Sequence, residues 1–390
     1  MLRFGRLNVE KLERKGDVAG LARVLASAGE PDQRVKALRA LARVGELDVL
    51  YSALGDRAPE VRGAAARALG LTRDKRAELP LVVALRDHDW HVRMAAAEAL
   101  GQIGDAEAEE PLLAEIEDVD AHVRAAVAEA LGKIGDTRAE RPLVTELADS
   151  DRLVRAKAAE ALGQLGDQRA VGPLLSTLTD SDAYVRESVV RALGCLGDNH
   201  AVEPLLATLN DSDAGVRAAT AEALGKTGDA RVFRPLVETL ADRRYDVCRM
   251  AARALARLGW RPSCDENGAR YFLALHLIDR AVEIGSCVVK PLITVLVEDD
   301  SNSMRAAAAR ALGEIGDDRA VGPLIACLNN PQASEIVRSA AAEALGKIGD
   351  ASALRSLRCA LLDHDAEVRD TAQEALEQIG VRLGRAQVGV

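Results

Sequence analysis

Arginine and aspartate recur in this sequence at a spacing that would let their side chains form charge-assisted hydrogen bonds. A guanidinium donates to a carboxylate through a planar fork, and such pairs are stronger than hydrogen bonds between neutral groups. Residues that recur in every repeat are expected to have a role that all repeats share, and that role is stacking on neighbouring repeats. We therefore predict a structural ladder in which two columns bond to each other. The columns are Arg124, Arg155, Arg186 and Arg217, and Asp136, Asp167, Asp198 and Asp229.

Histidine and cysteine, the usual ligands of zinc, are few and irregularly spaced. Cys248, Cys264, His276 and Cys287 fall in one zone of the chain, but their spacing matches no zinc-binding pattern. The phosphate-binding and nucleophile motifs G-x-x-x-x-G-K-S/T, G-x-G-x-x-G and G-x-S-x-G do not occur in a strand-to-helix context. We therefore predict no metal, no cofactor and no catalytic residue.

The elements that position these side chains follow from a repeat of 31 residues, as Val123, Val154 and Val185 illustrate. A fixed period of this size indicates a stack of similar supersecondary units. The position of the Val-Arg pair can be followed through eleven copies: Gln33-Arg34, Val61-Arg62, Val92-Arg93, Val123-Arg124, Val154-Arg155, Val185-Arg186, Val216-Arg217, Val247-Cys248, Met304-Arg305, Val337-Arg338 and Val368-Arg369.

Each unit is predicted to form two helices. Over residues 151–165 apolar residues recur at helical spacing. Asp151 is placed as the N-cap, and Gly166 stands where a helix commonly ends in a left-handed residue. Gly163 lies inside the last turn, where glycine weakens a helix, so we expect a neighbouring backbone to pass close to it. Pro142 places the start of the other helix of the unit, over about 139–147, just before itself.

The residues that carry the period resemble HEAT repeats, in particular the short HEAT-like class first associated with phycobilisome lyases. The resemblance covers about residues 17–380. It implies an all-α, right-handed α-solenoid of about eleven stacked helical hairpins, whose second helices line a concave face and which serves mainly to bind proteins. Deoxyhypusine hydroxylase, another HEAT-like family, binds two irons through His-Glu dipeptides. None of the six histidines here is followed by glutamate, so that site is absent.

Function is expected where the units differ from one another. The residue before each valine and the residue six positions after it both vary along the chain. If the second helices line the concave face, these side chains form its surface, with a semi-apolar stripe beside an acidic row. We predict that a partner protein binds there, and ordinary surface variation is the alternative. The residues are His91, His122, Leu153 and Tyr184, and Glu98, Glu129, Glu160 and Arg191.

The net charge of −10 argues against general binding of nucleic acid. Residues 87–151 hold 5 Lys/Arg and 17 Asp/Glu, and the run Asp105–Asp120 holds eight acids and no base. This acidity indicates either a solvated outer face or a docking surface for a partner with a basic surface. No stretch approaches the ~20 apolar residues of a membrane helix. Residues 1–17 lack the apolar core of a signal peptide, and the cysteines show no disulfide framework, so we expect a reduced, cytoplasmic setting.

The repeat is interrupted after Gly259, where Trp260 replaces the expected aspartate. We predict a HEAT-like block over 1–259 with a cap at 1–16, an inserted helix within 260–284, a second block over 285–380 and a tail at 381–390. The inserted helix is expected over 270–282. Its bulky residues would fill a wedge between repeats, and a ligand pocket or a hinge is the alternative. One side of this helix would carry Tyr271, Leu275, Ile278 and Val282.

Taken together, these patterns favour a non-catalytic scaffold or adaptor that binds a partner protein. The alternative is a bilin-lyase-like or other modification or assembly factor that presents a substrate protein. A third interpretation is an enzyme that uses a pocket at the insertion.

Overall fold

The structure, a computed structural model, describes residues 9–26, 31–44, 47–299 and 301–388. Residues 1–8 of the expected cap and 389–390 of the expected tail lie outside it. The described residues form α-helices joined by short turns and 3-10 turns, with no β-strand among them. In chain order the helices are α1 Val9–Lys15, α2 Val18–Ala26, α3 Pro31–Val44, α4 Leu47–Ala53, α5 Pro59–Thr72, α6 Glu78–Ala84, α7 Trp90–Ile103, α8 Glu109–Ala114, α9 Ala121–Ile134, α10 Glu140–Glu146, α11 Arg152–Leu165, α12 Val171–Thr177, α13 Ala183–Leu196, α14 Val202–Thr208, α15 Ala214–Thr227, α16 Phe233–Thr239, α17 Tyr245–Arg257, α18 Glu266–Ala274, α19 Ile278–Val282, α20 Val289–Glu298, α21 Asn302–Ile315, α22 Val321–Leu328, α23 Glu335–Ile348, α24 Leu354–Ala360 and α25 Ala366–Val388.

Long and short helices alternate, as the stacked hairpins of a HEAT-type α-solenoid require. The arginine of each Val-Arg pair, or its substitute, is the fourth residue of a long helix at all eleven positions. In α11 the Asp151 carboxylate accepts a hydrogen bond from the amide of Leu153 at 2.7 Å, which confirms it as the N-cap. Gly166 ends this helix with φ of +73°, also as predicted.

The short helices begin where proline was expected to place them. A 3-10 turn over Thr137–Ala139 leads into α10, and Pro142 stands in the first turn of that helix. The missing amide of proline costs nothing there, because the first amides of a helix have no partner within it. Leu143, one residue later, is fully buried.

Long helices of successive repeats touch at glycine. A Cβ added to Gly163 would lie 2.7 Å from the Cα of Ala192 on the next long helix, and one added to Gly132 would lie 2.7 Å from the Cα of Ala161. The predicted close approach of a neighbouring backbone is therefore confirmed.

The chain divides into two compact units, which we call the first unit (residues 1–208) and the second unit (residues 209–390). The described core of the first unit consists mainly of alanine, valine and leucine from the long and short helices. The second unit contains the interruption of the repeat within its own fold. Helix α25 continues through 381–388, the described part of the expected tail.

The prediction of a single inserted helix over 270–282 is wrong, because the segment forms two helices, α18 and α19. Helix α18 begins after Asp265, whose carboxylate accepts from the amide of Gly268 at 2.9 Å. It ends in a Schellman motif. His276 adopts φ of +59°, its amide bonds the carbonyl of Leu273 at 2.9 Å, and the amide of Leu277 bonds the carbonyl of Phe272 at 2.8 Å.

Candidate functional site

Arg155 on α11 shows the geometry of a ladder rung. Its Nε and Nη2 donate to the two carboxylate oxygens of Asp180, at 2.7 and 2.9 Å, and its Nη1 donates to the carbonyl oxygen of Asp149 at 2.9 Å. Asp149 belongs to the loop that leads into α11, and Asp180 to the loop that leads into α13. One guanidinium therefore joins the loops of successive repeats, and both side chains are largely buried.

The same fork recurs along both units. Hydrogen bonds from Arg62 hold the pKa of Asp87 below its usual value, so this pair keeps its opposite charges at neutral pH. Arg186 makes the corresponding bond to its own loop, since its Nη1 donates to the carbonyl of Asp180 at 2.9 Å. The other pairs are Arg93–Asp118, Arg124–Asp149, Arg217–Asp242 and Arg338–Asp363.

The prediction that the arginine and aspartate columns bond to each other is wrong. Asp167 instead caps the 3-10 turn that follows its own long helix, where it accepts from the amide of Arg169 at 3.0 Å. The true partners of the arginines were missed, because they form a second column of aspartates with the same period of 31 residues. Asp136, Asp198 and Asp229 cap the equivalent turns, and the carboxylates that pair with the arginines include Asp87, Asp118, Asp149, Asp180 and Asp242.

Glu146, the last residue of α10, is a buried acid beside one of these rungs. The residue is 6% exposed, and its Oε2 has no hydrogen-bond partner among the described residues. Burial, together with the nearby carboxylate of Asp149, raises the pKa of Glu146 to about 7. The next three short helices, α12, α14 and α16, carry threonine at the equivalent position, and the hydroxyl of Thr177 donates to the carbonyl of Pro173 at 3.0 Å.

The free energy of unfolding is expected to fall as the pH rises from about 4.5 to about 7. The folded chain holds the proton of Glu146 up to a pKa of about 7, whereas the unfolded chain releases it near the ordinary value of 4.5. The stabilisation is therefore complete below pH 4.5, and about 3 kcal/mol of it is lost by pH 8. Urea unfolding from pH 4 to pH 8 measures this fall, and Glu146→Thr should remove most of it.

Glu110→Gln is the matched control for Glu146→Thr, because Glu110 lies on the neighbouring short helix α8 with its side chain 85% exposed. It should leave the pH dependence as it is in the wild type. A wild-type chain whose stability does not change between pH 4.5 and 7 would contradict a raised pKa for Glu146.

The exposed face of the long helices in the first unit carries the residues predicted to bind a partner. His91 and His122 are exposed, and the ring of Trp90 stacks on both, with centroids 3.6 and 5.0 Å apart and planes inclined by 24° and 21°. Tyr184 is 42% exposed, and Leu153 is half-buried. Trp90 was missed by the sequence prediction, although a tryptophan at a helix start is a clear signal in a chain with 2% aromatic residues.

The predicted acidic row on this face is paired with bases. Lys157 places its Nζ 3.0 Å from Oε2 of Glu129 and 2.9 Å from Oε2 of Glu160, and Lys133 bonds the other oxygen of Glu129 at 2.6 Å. Tyr184 donates to the other oxygen of Glu160 at 3.4 Å. The row is therefore a network of alternating charges that crosses α9, α11 and α13. At its ends, Glu98 lies 3.9 Å from Arg67, and Arg191 lies 2.5 Å from Glu187.

The acidic run Asp105–Asp120 divides between structure and surface. Asp118 belongs to the ladder, Asp120 caps α9, Asp105 bonds Lys75 at 2.7 Å, and the buried Glu109 is bonded by Arg138. The exposed acids of the run lie on or beside the short helix α8, away from the row on the long helices, and they are Glu107, Glu110 and Glu117.

A cavity of about 290 Å³ lies in the second unit, where the repeat is interrupted. Residues of the insertion line this cavity, as the alternative of a ligand pocket at the insertion would require. Beside it, the hydroxyl of Tyr245 lies 2.7 Å from Nε2 of His276 and donates to the carbonyl of Ala274 at 3.1 Å. The polar and charged residues that line it are Asp242, Arg243, Tyr245, Cys248, Arg270, Thr294, Glu298 and Asp299.

Burial changes the chemistry of two side chains at this cavity. It raises the pKa of the Cys248 thiol to about 12 and that of the Tyr245 hydroxyl to about 12. Both groups are therefore neutral hydrogen-bonding groups near neutral pH. Within the described ranges, no three side chains of the metal-binding types cluster in a way that could hold an ion.

None of the described helices is both long enough and apolar enough to cross a membrane.

Comparison with known proteins identifies the family of this chain. A family model of HEAT repeats matches residues 47–114, 109–194, 171–256 and 289–377, which is more than half of the chain. No curated protein matches the sequence.

Several solved structures are similar at low identity. An engineered protein is 24% identical, with 93% of this chain and 99% of that chain covered and a TM-score of 0.41. The complex of CpcE and CpcF of phycocyanin lyase from Nostoc sp. PCC7120 is 20% identical, with 77% and 94% covered and a TM-score of 0.38. Human deoxyhypusine hydroxylase is 21% identical, with 80% and 99% covered and a TM-score of 0.30. At these values the similarities carry no functional argument.

Proposed function

Because the chain belongs to the HEAT-repeat family, we propose that it is a non-catalytic scaffold that binds a partner protein on the long-helix face of its first unit. HEAT repeats generally mediate contacts between proteins. Stacked repeats present extended surfaces on which a partner is bound by side chains from several units. We further propose a cytoplasmic setting, in which the six cysteines stay reduced.

The observation that carries this proposal is the exposed aromatic group at the start of α7 and α9. The residues that stack the repeats recur with the period, whereas the stacked rings of Trp90, His91 and His122 occur once among the described residues, with both histidines exposed and Trp90 half-buried. A fold does not need exposed aromatic rings for its own stability, and interface cores are enriched in them. Tyr184 extends the same face two repeats further along the chain.

The partner that suits this face offers an apolar or aromatic group and a basic surface. The first group would contact the rings and Leu153. The basic surface would be attracted by the negative net charge of residues 87–151, which hold 5 Lys/Arg and 17 Asp/Glu. Because Glu129 and Glu160 are already bonded to Lys157, this attraction would act mainly at long range and speed association.

The triple variant His91→Ala, His122→Ala and Tyr184→Ala is expected to weaken partner binding at least tenfold, since aromatic anchors commonly contribute about 2 kcal/mol or more each. Its stability should stay close to that of the wild type, because all three side chains are exposed. Affinity capture from cell extract with quantitative mass spectrometry identifies proteins retained by the wild type and lost from the variant, and titration of the purified partner then gives both affinities.

The matched control is Leu79→Ala with Val83→Ala, which removes two apolar side chains, 77% and 75% exposed, from the short helix α6. It should retain the partner. Loss of the partner from this control, with retention by the triple variant, would place the interface on the short helices and contradict the proposal. A partner that is chemically modified when it meets the wild-type chain would instead favour the modification factor.

A further inference from the structure

In the first unit, α5 and α7 each touch the next long helix at a glycine, but α3 carries an alanine at the same position. A Cβ added to Gly70 of α5 would lie 2.6 Å from the Cα of Ala99, and one added to Gly101 of α7 would lie 2.7 Å from the Cα of Ala130. Ala42 of α3 stands where these glycines stand in their helices. A real methyl group does not fit into so close a contact, so α3 and α5 cannot approach each other as the later helices do.

A groove lies between α3 and α5, and Ala42 is part of its lining. Ala68 of α5, which stands where Ala99 and Ala130 stand on their own helices, lines it as well. The volume of this groove, about 800 Å³, falls within the roughly 300–1,000 Å³ range of ligand pockets. Leu71 adds a large apolar side chain that is 75% exposed. The groove can therefore hold side chains of a bound segment.

Arginine side chains from both helices line this groove. Arg39 and Arg67 occupy equivalent positions, since each is the ninth residue of its helix, and both are exposed. Arg39 has no acidic partner within the described part of the chain, and Arg67 lies 3.9 Å from Glu98, which is close to the outer limit of an ion pair. Arg43, one turn further along α3, is bonded to Glu13 at 2.5 Å. The guanidinium groups of Arg39 and Arg67 are therefore available to a carboxylate from another molecule.

The acids that line the groove lie at its other end. Asp32, Glu60 and Asp89 stand at the starts of α3, α5 and α7, and the carboxylate of Asp89 already caps α7. Asp32 precedes Arg39, and Glu60 precedes Arg67, by about 10 Å of helix. The groove is therefore acidic where the helices begin and basic two turns later, so an acidic side chain that enters it is attracted to the basic end.

We propose that this groove binds a segment of the partner protein in which an acidic side chain stands beside a large apolar one. The carboxylate would accept hydrogen bonds from Arg39 and Arg67, since guanidinium groups bind carboxylates through charge-assisted hydrogen bonds. The apolar side chain would pack against Ala42, Ala68 and Leu71. The inference rests on the proposed scaffold function and adds a contact of defined chemistry to it.

The groove adjoins the surface proposed to bind the partner, because His91 lines it as well. The position that holds Arg39 and Arg67 on α3 and α5 holds glutamate on α7, α9 and α11. A partner that lies along this face would therefore meet positive charge at α3 and α5 and negative charge further on. This change of sign fixes the direction of the bound partner, with its acidic residue at the groove and its basic surface over the later helices.

Binding of a short acidic peptide to the full-length chain tests the proposal. The peptide acetyl-Leu-Glu-Phe-amide should bind measurably by isothermal titration calorimetry. Its glutamine analogue, which has the same shape without the charge, should bind roughly tenfold or more weakly, as expected for loss of a charge-assisted hydrogen bond. The lysine analogue should bind no better than the glutamine analogue. Absence of binding by the glutamate peptide, equal affinity for the glutamate and glutamine peptides, or tighter binding of the lysine peptide would overturn the proposal.

A pair of arginine variants locates the binding. The double variant Arg39→Gln with Arg67→Gln should weaken the glutamate peptide roughly tenfold or more, with an unchanged circular dichroism spectrum. The control Arg57→Gln with Arg86→Gln removes the same charge from two exposed arginines of the first unit that do not line the groove. It should leave the affinity unchanged. Equal affinities of the two double variants would overturn the assignment.

Filling the groove tests its place in the fold. Ala42→Leu should occupy the space between α3 and α5 and abolish binding of the glutamate peptide, whereas Ala42→Ser keeps a small side chain and should leave binding unchanged. Circular dichroism checks that both variants are folded. Full peptide affinity in a folded Ala42→Leu chain would place the peptide elsewhere and contradict the proposal.

The partner found by affinity capture separates this inference from the proposed function. The Arg39→Gln, Arg67→Gln variant should bind that partner more weakly than the wild type does. A partner that keeps its affinity for this variant, but is lost from the triple variant at His91, His122 and Tyr184, would overturn the groove and leave the scaffold function standing. A wild-type chain that retains no partner, yet prefers the glutamate peptide to the glutamine peptide, would do the reverse.

Discussion

Replacing Tyr271 with alanine is expected to lower the free energy of unfolding of the second unit by about 3–5 kcal/mol, as truncation of a large buried aromatic residue does elsewhere. Tyr271 is 7% exposed. Its ring packs edge-on against Trp260 and Phe272, with centroids 5.2 and 5.5 Å away. Removing the ring would leave a void inside the insertion. Urea unfolding followed by the fluorescence of Trp260, in a Trp90→Phe background, measures the loss.

Tyr271→Phe is the matched control, because it keeps the ring and removes the hydroxyl. Its stability should lie within about 1 kcal/mol of the wild type. The wedge interpretation would fail if Tyr271→Ala unfolded at the same urea concentration as Tyr271→Phe.

Replacing Arg155 with alanine is expected to lower the free energy of unfolding of the first unit by about 2–3 kcal/mol. The change removes four hydrogen bonds and leaves the Asp180 carboxylate, whose side chain is 11% exposed, without its counter-charge. A buried charge that loses its partner commonly costs this much or more. Denaturant unfolding gives the total, and hydrogen exchange should show the lost protection concentrated in α11 and α13, since repeats are coupled mainly to their neighbours.

Arg152→Ala provides the control on the same helix. Arg152 also bonds an aspartate, Asp182, at 3.1 Å, but its side chain is 69% exposed. An exposed pair of this kind contributes about 0–1 kcal/mol. Equal losses in Arg155→Ala and Arg152→Ala, or unchanged stability with impaired partner binding, would mean that Arg155 does not serve the ladder.

The sequence by itself determined the repeating helices of this protein. Asp151, Gly166 and Pro142 act within one or two turns of their own helix, so residue type and order were enough to predict the start and end of each element. Gly163 allowed a prediction beyond its own helix. Its recurrence in the last turn of the long helices predicted the close contact that they make between repeats. These features repeat, and a feature that repeats can be read from a single chain.

Only the tertiary structure decided which side chains meet between repeats. Asp167 and Asp180 belong to columns with the same period, so spacing alone could not choose between them as the partner of Arg155. The hairpin geometry brings Asp180 to it and leaves Asp167 to cap a turn. Likewise, the sequence did not show that Glu129 and Glu160 share Lys157 as a partner, because that pairing depends on how the long helices pack.

The interruption depended on tertiary structure for the same reason. The sequence shows that Cys248 replaces an arginine, but 51 residues and an insertion separate it from Asp299. The left-handed turn at His276 was not predicted, because a residue other than glycine seldom adopts that conformation. The fold of the insertion brings these two distant segments together, so that Cys248 and Asp299 both line the cavity. Local residue types fix each helix, whereas a contact between distant segments exists only once the intervening chain has folded.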